Sequence, residues 1–264
     1  MIRLLSGAVL VAFAVGVVWL APLPIFEAVA FALLFAAVEE LVGLFRAAGV
    51  HVPLWLAAAG ALMTLATFAE TISSRALPVD VTLMAQLIAT ALAAMAAWRG
   101  GGNTLATISA AFFPSLYLAL PIGSMVAIRE SAGPAPLFLL MITVIVSDTG
   151  QYYTGRLVGR RALAASLSPK KTVEGAIGGF VFGVLAFVLA GAWWLPAVPA
   201  PVRAVLGLGI VTTGIAGDLF ESMLKRSVGV KDSSRLIPGH GGVLDRIDAL
   251  LFAAPFYYIV LKYL

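Results

Sequence analysis

Cysteine is absent from the 264 residues, and only two histidines occur, His51 and His240. The first absence excludes disulfides and thiolate metal sites. The second excludes a histidine-rich zinc centre. Charge is scarce as well: Asp, Glu, Lys and Arg make up 11% of the chain, against about 25% in an ordinary soluble domain. Hydrophobic residues make up 61%. A water-soluble fold of this length could not hide so much apolar surface, so lipid is the solvent for much of the chain.

The charge-free stretches agree. Leu4–Phe26, Ala47–Ala69, Val81–Trp98, Gly100–Ile128 and Gly175–Val202 contain no Asp, Glu, Lys or Arg. A spanning helix needs roughly 20 mostly apolar residues. The alternation of a lipid-facing β-barrel is missing, and in hydrocarbon that leaves helices. The expected fold is therefore all-α: a polytopic transmembrane helical bundle of about nine transmembrane helices. These are placed near 4–22, 24–45, 53–70, 79–98, 104–127, 135–157, 173–196, 202–223 and 243–262. Pro and Gly clusters mark the joints, as at Pro22-Leu23-Pro24, Gly100-Gly101-Gly102 and Gly133-Pro134. The loops are short, so residues 1–264 read as one integral membrane domain. Its N-terminal helices lie in 1–134, and its catalytic helices and cytosolic loops in 135–264. Met1-Ile2-Arg3 and the apolar run after it read as a first transmembrane helix, with a signal peptide as the alternative.

Basic residues orient the chain. With a cytosolic N-terminus, all but four of the 17 Lys and Arg fall in or beside cytosolic segments, the exceptions being Arg75, Arg129, Arg203 and Lys262. This bias predicts a multi-pass protein of the cell (inner) membrane, with N-terminus and active site cytosolic and C-terminus extracytosolic. It also accounts for the net charge of +4 without a nucleic-acid partner. Two cytosolic loops stand out. One, Arg156 to Thr172, holds Arg156, Arg160, Arg161, Lys170 and Lys171; the other, Lys225 to Gly242, holds Lys225, Arg226, Lys231, Asp232 and Arg235. Gly175, Gly179 and Gly183 share one face of the helix after the first loop. Small residues let helices approach closely, and packing inside the bundle is preferred here over the seam of a homodimer.

Acids in or at the ends of membrane helices are costly and face protein or water. Asp148 lies well inside the sixth helix. Asp218 and Glu221, then Asp245 and Asp248, repeat a spacing of three, which puts each pair on one helix face. Carboxylates without His or Cys suit hard cations such as Mg²⁺, whose shell substrate phosphates and water complete. Neighbouring Lys and Arg suit phosphate oxygens. The set reads as a metal-plus-polyphosphate site for phosphoryl or nucleotidyl transfer, which needs positioning and charge neutralisation. Structural alternatives stay open. Asp248 can instead pair with Arg246 or a lysine, and Asp148 with Arg156. The glycine-rich Pro238–Gly242 loop either cradles a phosphate through its amides or simply turns. Glu39 and Glu40, near the end of the second helix, read as a solvated pair.

Ser222-Met223-Leu224-Lys225-Arg226, Lys231-Asp232, Pro238-Gly239-His240-Gly241-Gly242 and Asp245-Arg246-Ile247-Asp248 form a run of 27 residues with fixed internal spacing. The run resembles the signature of phosphatidate cytidylyltransferases, the CDP-diacylglycerol synthases. Gly217–Ser222 and Ser168–Gly175 also look like this family. Val173, where the family often has Trp, and Gln151-Tyr152, where it often has Ala-Tyr, depart from it. The likeness covers about the last 120 residues. It implies CTP and phosphatidate as substrates, and CDP-diacylglycerol and pyrophosphate as products. It also implies Mg²⁺, as one ion or two, held by Asp218 and Asp245 with Asp148, Glu221 or Asp248 in support. Lys170, Lys171, Lys225, Arg226 and Lys231 are implied at the phosphates, and Ser222, Asp232, His240, Gly241, Gly242 and Arg246 elsewhere around the substrates. The rivals are a CTP-dependent kinase or cytidylyltransferase acting on an isoprenoid lipid, and an ion-coupled transporter.

Overall fold

The computed structural model describes every residue except Met1, 74–77, Gly101, Pro238 and His240. Helices dominate it. In chain order they are α1 (Ile2–Trp19), α2 (Leu23–Ala47), α3 (Leu54–Ala66), α4 (Glu70–Ser73), α5 (Val79–Ala97), α6 (Thr104–Pro114), α7 (Leu120–Ala132), α8 (Pro134–Val158), α9 (Val173–Trp194), α10 (Ala200–Ser227) and α11 (Leu244–Tyr263). A π-helical turn, Ser115–Ala119, joins α6 to α7, so Thr104–Ala132 runs as one long helix. It follows Pro114, which has no N–H to donate and whose ring crowds the preceding turn; a wider turn relieves both.

Each of the nine expected helix positions holds a helix, but the expected count of nine spans is not reproduced. Among the described residues six helices are long and apolar enough to cross a membrane: α2, α5, the α6–α7 rod, α8, α9 and α10. Helix α3 has 13 residues. At 1.5 Å per residue it reaches about 20 Å, short of the roughly 30 Å hydrocarbon layer.

The chain divides into two compact units. The first comprises Met1–Glu130 and Ser227–Arg246, the second Ser131–Arg226 and Ile247–Leu264. In the first, α2 buries Leu34, Ala37, Val38 and Leu41 at helical spacing, and α3 buries Ala57, Ala61 and Leu65. Helix α5 is inverted relative to a soluble helix. Its buried residues are Thr82, Gln86 and Thr90, while Met84, Leu87, Ile88, Leu92 and Met95 face outward. That is the pattern of a helix whose surroundings are more apolar than its interior. Arg129 closes the end of α1, donating from Nε to the Val18 carbonyl at 3.0 Å.

In the second unit the glycine face of α9 lies against α8. A Cβ at Gly179 would collide with Gln151, and one at Gly183 would come within 2.9 Å of the Ser147 Cβ. The close-approach stripe is thus used inside the bundle, as the sequence favoured. The basic loop before α9 is not irregular. Ala162–Ala164 and Ser168–Thr172 pair antiparallel as strands β1 and β2. Thr172 caps α9, its hydroxyl accepting from the Gly175 amide at 3.0 Å. The Glu174 carboxylate accepts from the amides of Arg160 at 3.0 Å and Arg161 at 3.2 Å. These contacts clip the hairpin to the start of the helix.

Candidate active site

In the second unit the hairpin and the end of α10 bring opposite charges together. Lys171, on β2, forms an ion pair with Asp218, and both side chains are partly exposed. Lys170, its neighbour on the strand, is exposed. One turn after Asp218, Glu221 pairs with Lys225 across four residues, and Glu221 is fully buried. A buried pair of this kind fixes geometry more than it adds stability. Gly217 allows α11 to come close: a Cβ there would lie 2.6 Å from the Asp248 carbonyl oxygen. Asp248 consequently feels the repulsion of Asp218 and Asp148 and the attraction of Lys225. Its own Oδ1 accepts from the Ala249 amide at 2.7 Å. Asp148, exposed on α8, accepts from Gln151 at 3.0 Å, and Arg156 donates to the Tyr152 hydroxyl at 3.2 Å. Ser222 is half-buried and Arg226 exposed on α10.

The first unit holds the glycine-rich segment. Lys231, Asp232 and Arg235 are exposed, following the turn made by Gly229 at φ 72°. Asp245 organises what comes next. Its Oδ2 accepts from the Ser233 amide at 2.9 Å, the Ser233 hydroxyl at 2.8 Å and the Gly242 amide at 2.8 Å. Gly241 takes φ 78°, and a Cβ on it would come within 2.7 Å of that same oxygen. A side chain at Gly242 would run into Ser233 and Glu40. The two glycines thus let carboxylates approach the backbone, and the Gly242 amide is occupied by Asp245. Arg246 is exposed. His240 lies outside the described residues.

Glu40 overturns an expectation. Its side chain is not solvated: the residue is 6% exposed, while Glu39 beside it is exposed. Its Oε1 accepts from the Ser234 hydroxyl at 2.6 Å and the Val243 amide at 2.9 Å. Its Oε2 accepts from the Ser233 hydroxyl at 2.9 Å and the Leu244 amide at 2.8 Å. Two signals in the sequence could have distinguished it from its neighbour. Position 40 follows Ala37 by three and precedes Leu44 by four on the flank of the buried stripe, whereas Glu39 falls on the opposite side. And Gly241-Gly242-Val243-Leu244 opens a helix without a Ser, Thr, Asp or Asn cap.

The donor chemistry suits a hard cation: Asp248 is an oxygen donor that feels the charge of two further carboxylates, Asp218 and Asp148. Among the described residues no three His, Asp or Glu side chains converge as a ready-made metal cage. Mg²⁺ does not require one, since it keeps several waters and binds through one or two carboxylates plus substrate phosphates.

Comparison with known proteins adds an independent line. A phosphatidate cytidylyltransferase of Mycobacterium bovis is 39% identical over 165 residues, which is 62% of this chain and 53% of that protein. One from Aquifex aeolicus is 38% identical over 152 residues, 57% of this chain and 54% of the relative. One from Haemophilus influenzae is 47% identical over 133 residues, 46% and 44% of the respective lengths. The chain spans about half the length of the curated relatives it matches. The model of the cytidylyltransferase family matches residues 1–264 throughout, and the chain, a multi-pass membrane protein, belongs to that family.

Proposed function

We propose that this protein transfers the cytidylyl group of CTP to phosphatidate, giving CDP-diacylglycerol and pyrophosphate. The observation that carries the reading is the Lys171–Asp218 ion pair between the hairpin and α10, with α11 brought close at Gly217 beside Asp248. Acids and lysines interleaved at a helix end are the chemistry of a metal-bound polyphosphate site. The relatives named for this activity support it.

A phosphate oxygen of phosphatidate attacks the α-phosphorus of CTP, and the bond from that phosphorus to the oxygen bridging to the β-phosphate breaks. Pyrophosphate carries away the electron pair. No general base is needed, because the phosphate is already an anion. The exposed Lys170, Arg226 and Lys231 meet phosphates from solution, and Lys171 and Lys225 hold charge balance around Asp218 and Asp248. Bound Mg²⁺ would supply charge neutralisation at the α-phosphorus and the leaving group. Asp218, with Asp148 and Asp248 near it, would hold it, and the sequence signature gives Asp245 the same role. The positive-inside bias supports a cytosolic N-terminus and active site.

Purified protein incubated with labelled CTP, phosphatidate and Mg²⁺ should yield a lipid-soluble cytidine nucleotide and one pyrophosphate per turnover. Release of CDP with a newly phosphorylated lipid would identify a kinase instead. Turnover only with an isoprenoid lipid phosphate would move the substrate class. Solute uptake by sealed vesicles without CTP consumption would favour a transporter.

A further inference from the structure

We propose that Glu40, on α2, is a positioning residue: its carboxylate clasps the segment 233–244 at both ends and so sets the signature's basic residues and Asp245 for the substrate. The kinetic part of this inference rests on the cytidylyl-transfer reading; the structural part rests on geometry alone.

Glu40 stands about 190 residues before the segment it holds, in the half of the chain where the sequence signature assigns no residue. Its four hydrogen bonds fill both carboxylate oxygens. Two of them come from Val243 and Leu244, the orphan amides at the N-terminus of α11. Val243 stands where a capping side chain belongs and has none to offer, so a carboxylate from another helix serves, and its charge suits the positive end of the helix dipole. The other two come from Ser233 and Ser234, which follow Lys231 and Asp232 directly. The Ser233 hydroxyl also lies 2.8 Å from Asp245 Oδ2. Its single proton serves two carboxylates, which links Glu40 to Asp245 through one side chain. Gly242 fits this arrangement, since any Cβ there would occupy the place of the Glu40 carboxylate.

The chemistry predicts how the clasp fails. A carboxylate accepts everywhere, whereas a carboxamide of the same shape offers one accepting oxygen and an NH₂. In Glu40→Gln that NH₂ must face a backbone amide, which can only donate, while the serine hydroxyl beside it has to turn round to accept. The segment should loosen while the helices keep their packing. A plain structural strut would behave differently, lowering stability throughout and leaving substrate affinity unchanged in the protein that remains folded.

The experiment uses the full chain in detergent or lipid nanodiscs, comparing wild type, Glu40→Gln, Ser234→Ala and, as an exposed neighbour, Glu39→Gln. Amide exchange in peptides covering 231–244 should quicken about tenfold or more in Glu40→Gln and less in Ser234→Ala, with peptides of α8 and α9 unchanged. The KM for CTP should rise about tenfold while kcat changes by less than about threefold, and Glu39→Gln should match wild type. Unchanged exchange at 231–244 in Glu40→Gln overturns the clasp. So does exchange that quickens evenly across both units, or a loss confined to kcat. If the wild type makes no CDP-diacylglycerol, the functional reading falls by itself, and the exchange measurement still decides the clasp.

Discussion

Asp218 is held by a lysine from a different element, while Glu221, one turn away, is held by a lysine of its own helix. The sequence pairs these two acids by spacing, yet the fold treats them differently. Glu221 is sealed away, and Asp218 is partly open beside Asp248. Of the two, Asp218 is therefore the one open to solvent, and the proposed metal-binding role falls to it. Asp218→Asn keeps the shape and removes the charge. It should lower cytidylyl transfer by about 100-fold or more, in line with the loss of one preorganised electrostatic group at a transition state. The protein should still elute as a folded species and bind detergent as wild type does. Near-wild-type turnover would remove Asp218 from the site. Gly242→Ala tests the other cluster. Its methyl must displace Ser233 and the Glu40 carboxylate, and overpacking of this kind costs about 1–3 kcal/mol. A lowered thermal midpoint together with a raised KM for CTP is the expected outcome. At this scale residue type and spacing singled out Asp218, Glu221, Asp245 and Asp248, and the structure gives each a polar partner. Glu40 was not legible, because its partners lie far along the chain and a doublet of glutamates looks solvated. The use of the two glycines was also hidden, since sequence alone does not say whether a backbone amide faces a ligand or a neighbouring carboxylate.

Helices were legible because each must satisfy its own backbone in lipid, which leaves long apolar runs bounded by Pro and Gly. The short features were not, because they depend on partners. The π-helical turn of Ser115–Ala119 is one consequence of Pro114 that a hydropathy pattern does not register. The β1–β2 hairpin carries little apolar alternation and is held largely by Glu174 and Thr172 at the start of α9. It matters because it presents Lys170 and Lys171. The α8–α9 seam is the firmest test at the scale of elements. Gly179→Leu would push a branched side chain into Gln151 and Ser147, and the variant should lose most of its monodisperse, folded yield on size exclusion. Ile177, on the outward side of the same helix and 58% exposed, should accept Leu with a change within about 0.5 kcal/mol. Equal behaviour of the two variants would mean that the glycine face is not what holds α9 to α8.

Apolar side chains face outward across the molecule, among them Met84, Ile88, Leu92 and Met95 on α5, Leu185 and Leu189 on α9 and Leu208 on α10, so the chain is built for an apolar surrounding. On α5 the inward face is polar as well, with Gln86 and Thr90 buried. The same property makes its topology testable. Helix α8 has 25 residues, about 37 Å at 1.5 Å per residue, enough to cross the hydrocarbon layer of roughly 30 Å. Ser131 precedes it and Ser166 follows it in the hairpin turn, and both are exposed. If α8 spans, these two serines emerge on opposite sides. The bias of basic residues puts Ser166 with the hairpin lysines in the cytosol and Ser131 outside. The chain contains no cysteine, so single replacements can be labelled without removing any native thiol. In intact spheroplasts a membrane-impermeant maleimide should modify Ser131→Cys and leave Ser166→Cys untouched until the membrane is permeabilised. The reverse pattern would invert the topology and place Lys170 and Lys171 away from cytosolic CTP. Labelling of both from one side would mean that α8 does not cross the bilayer.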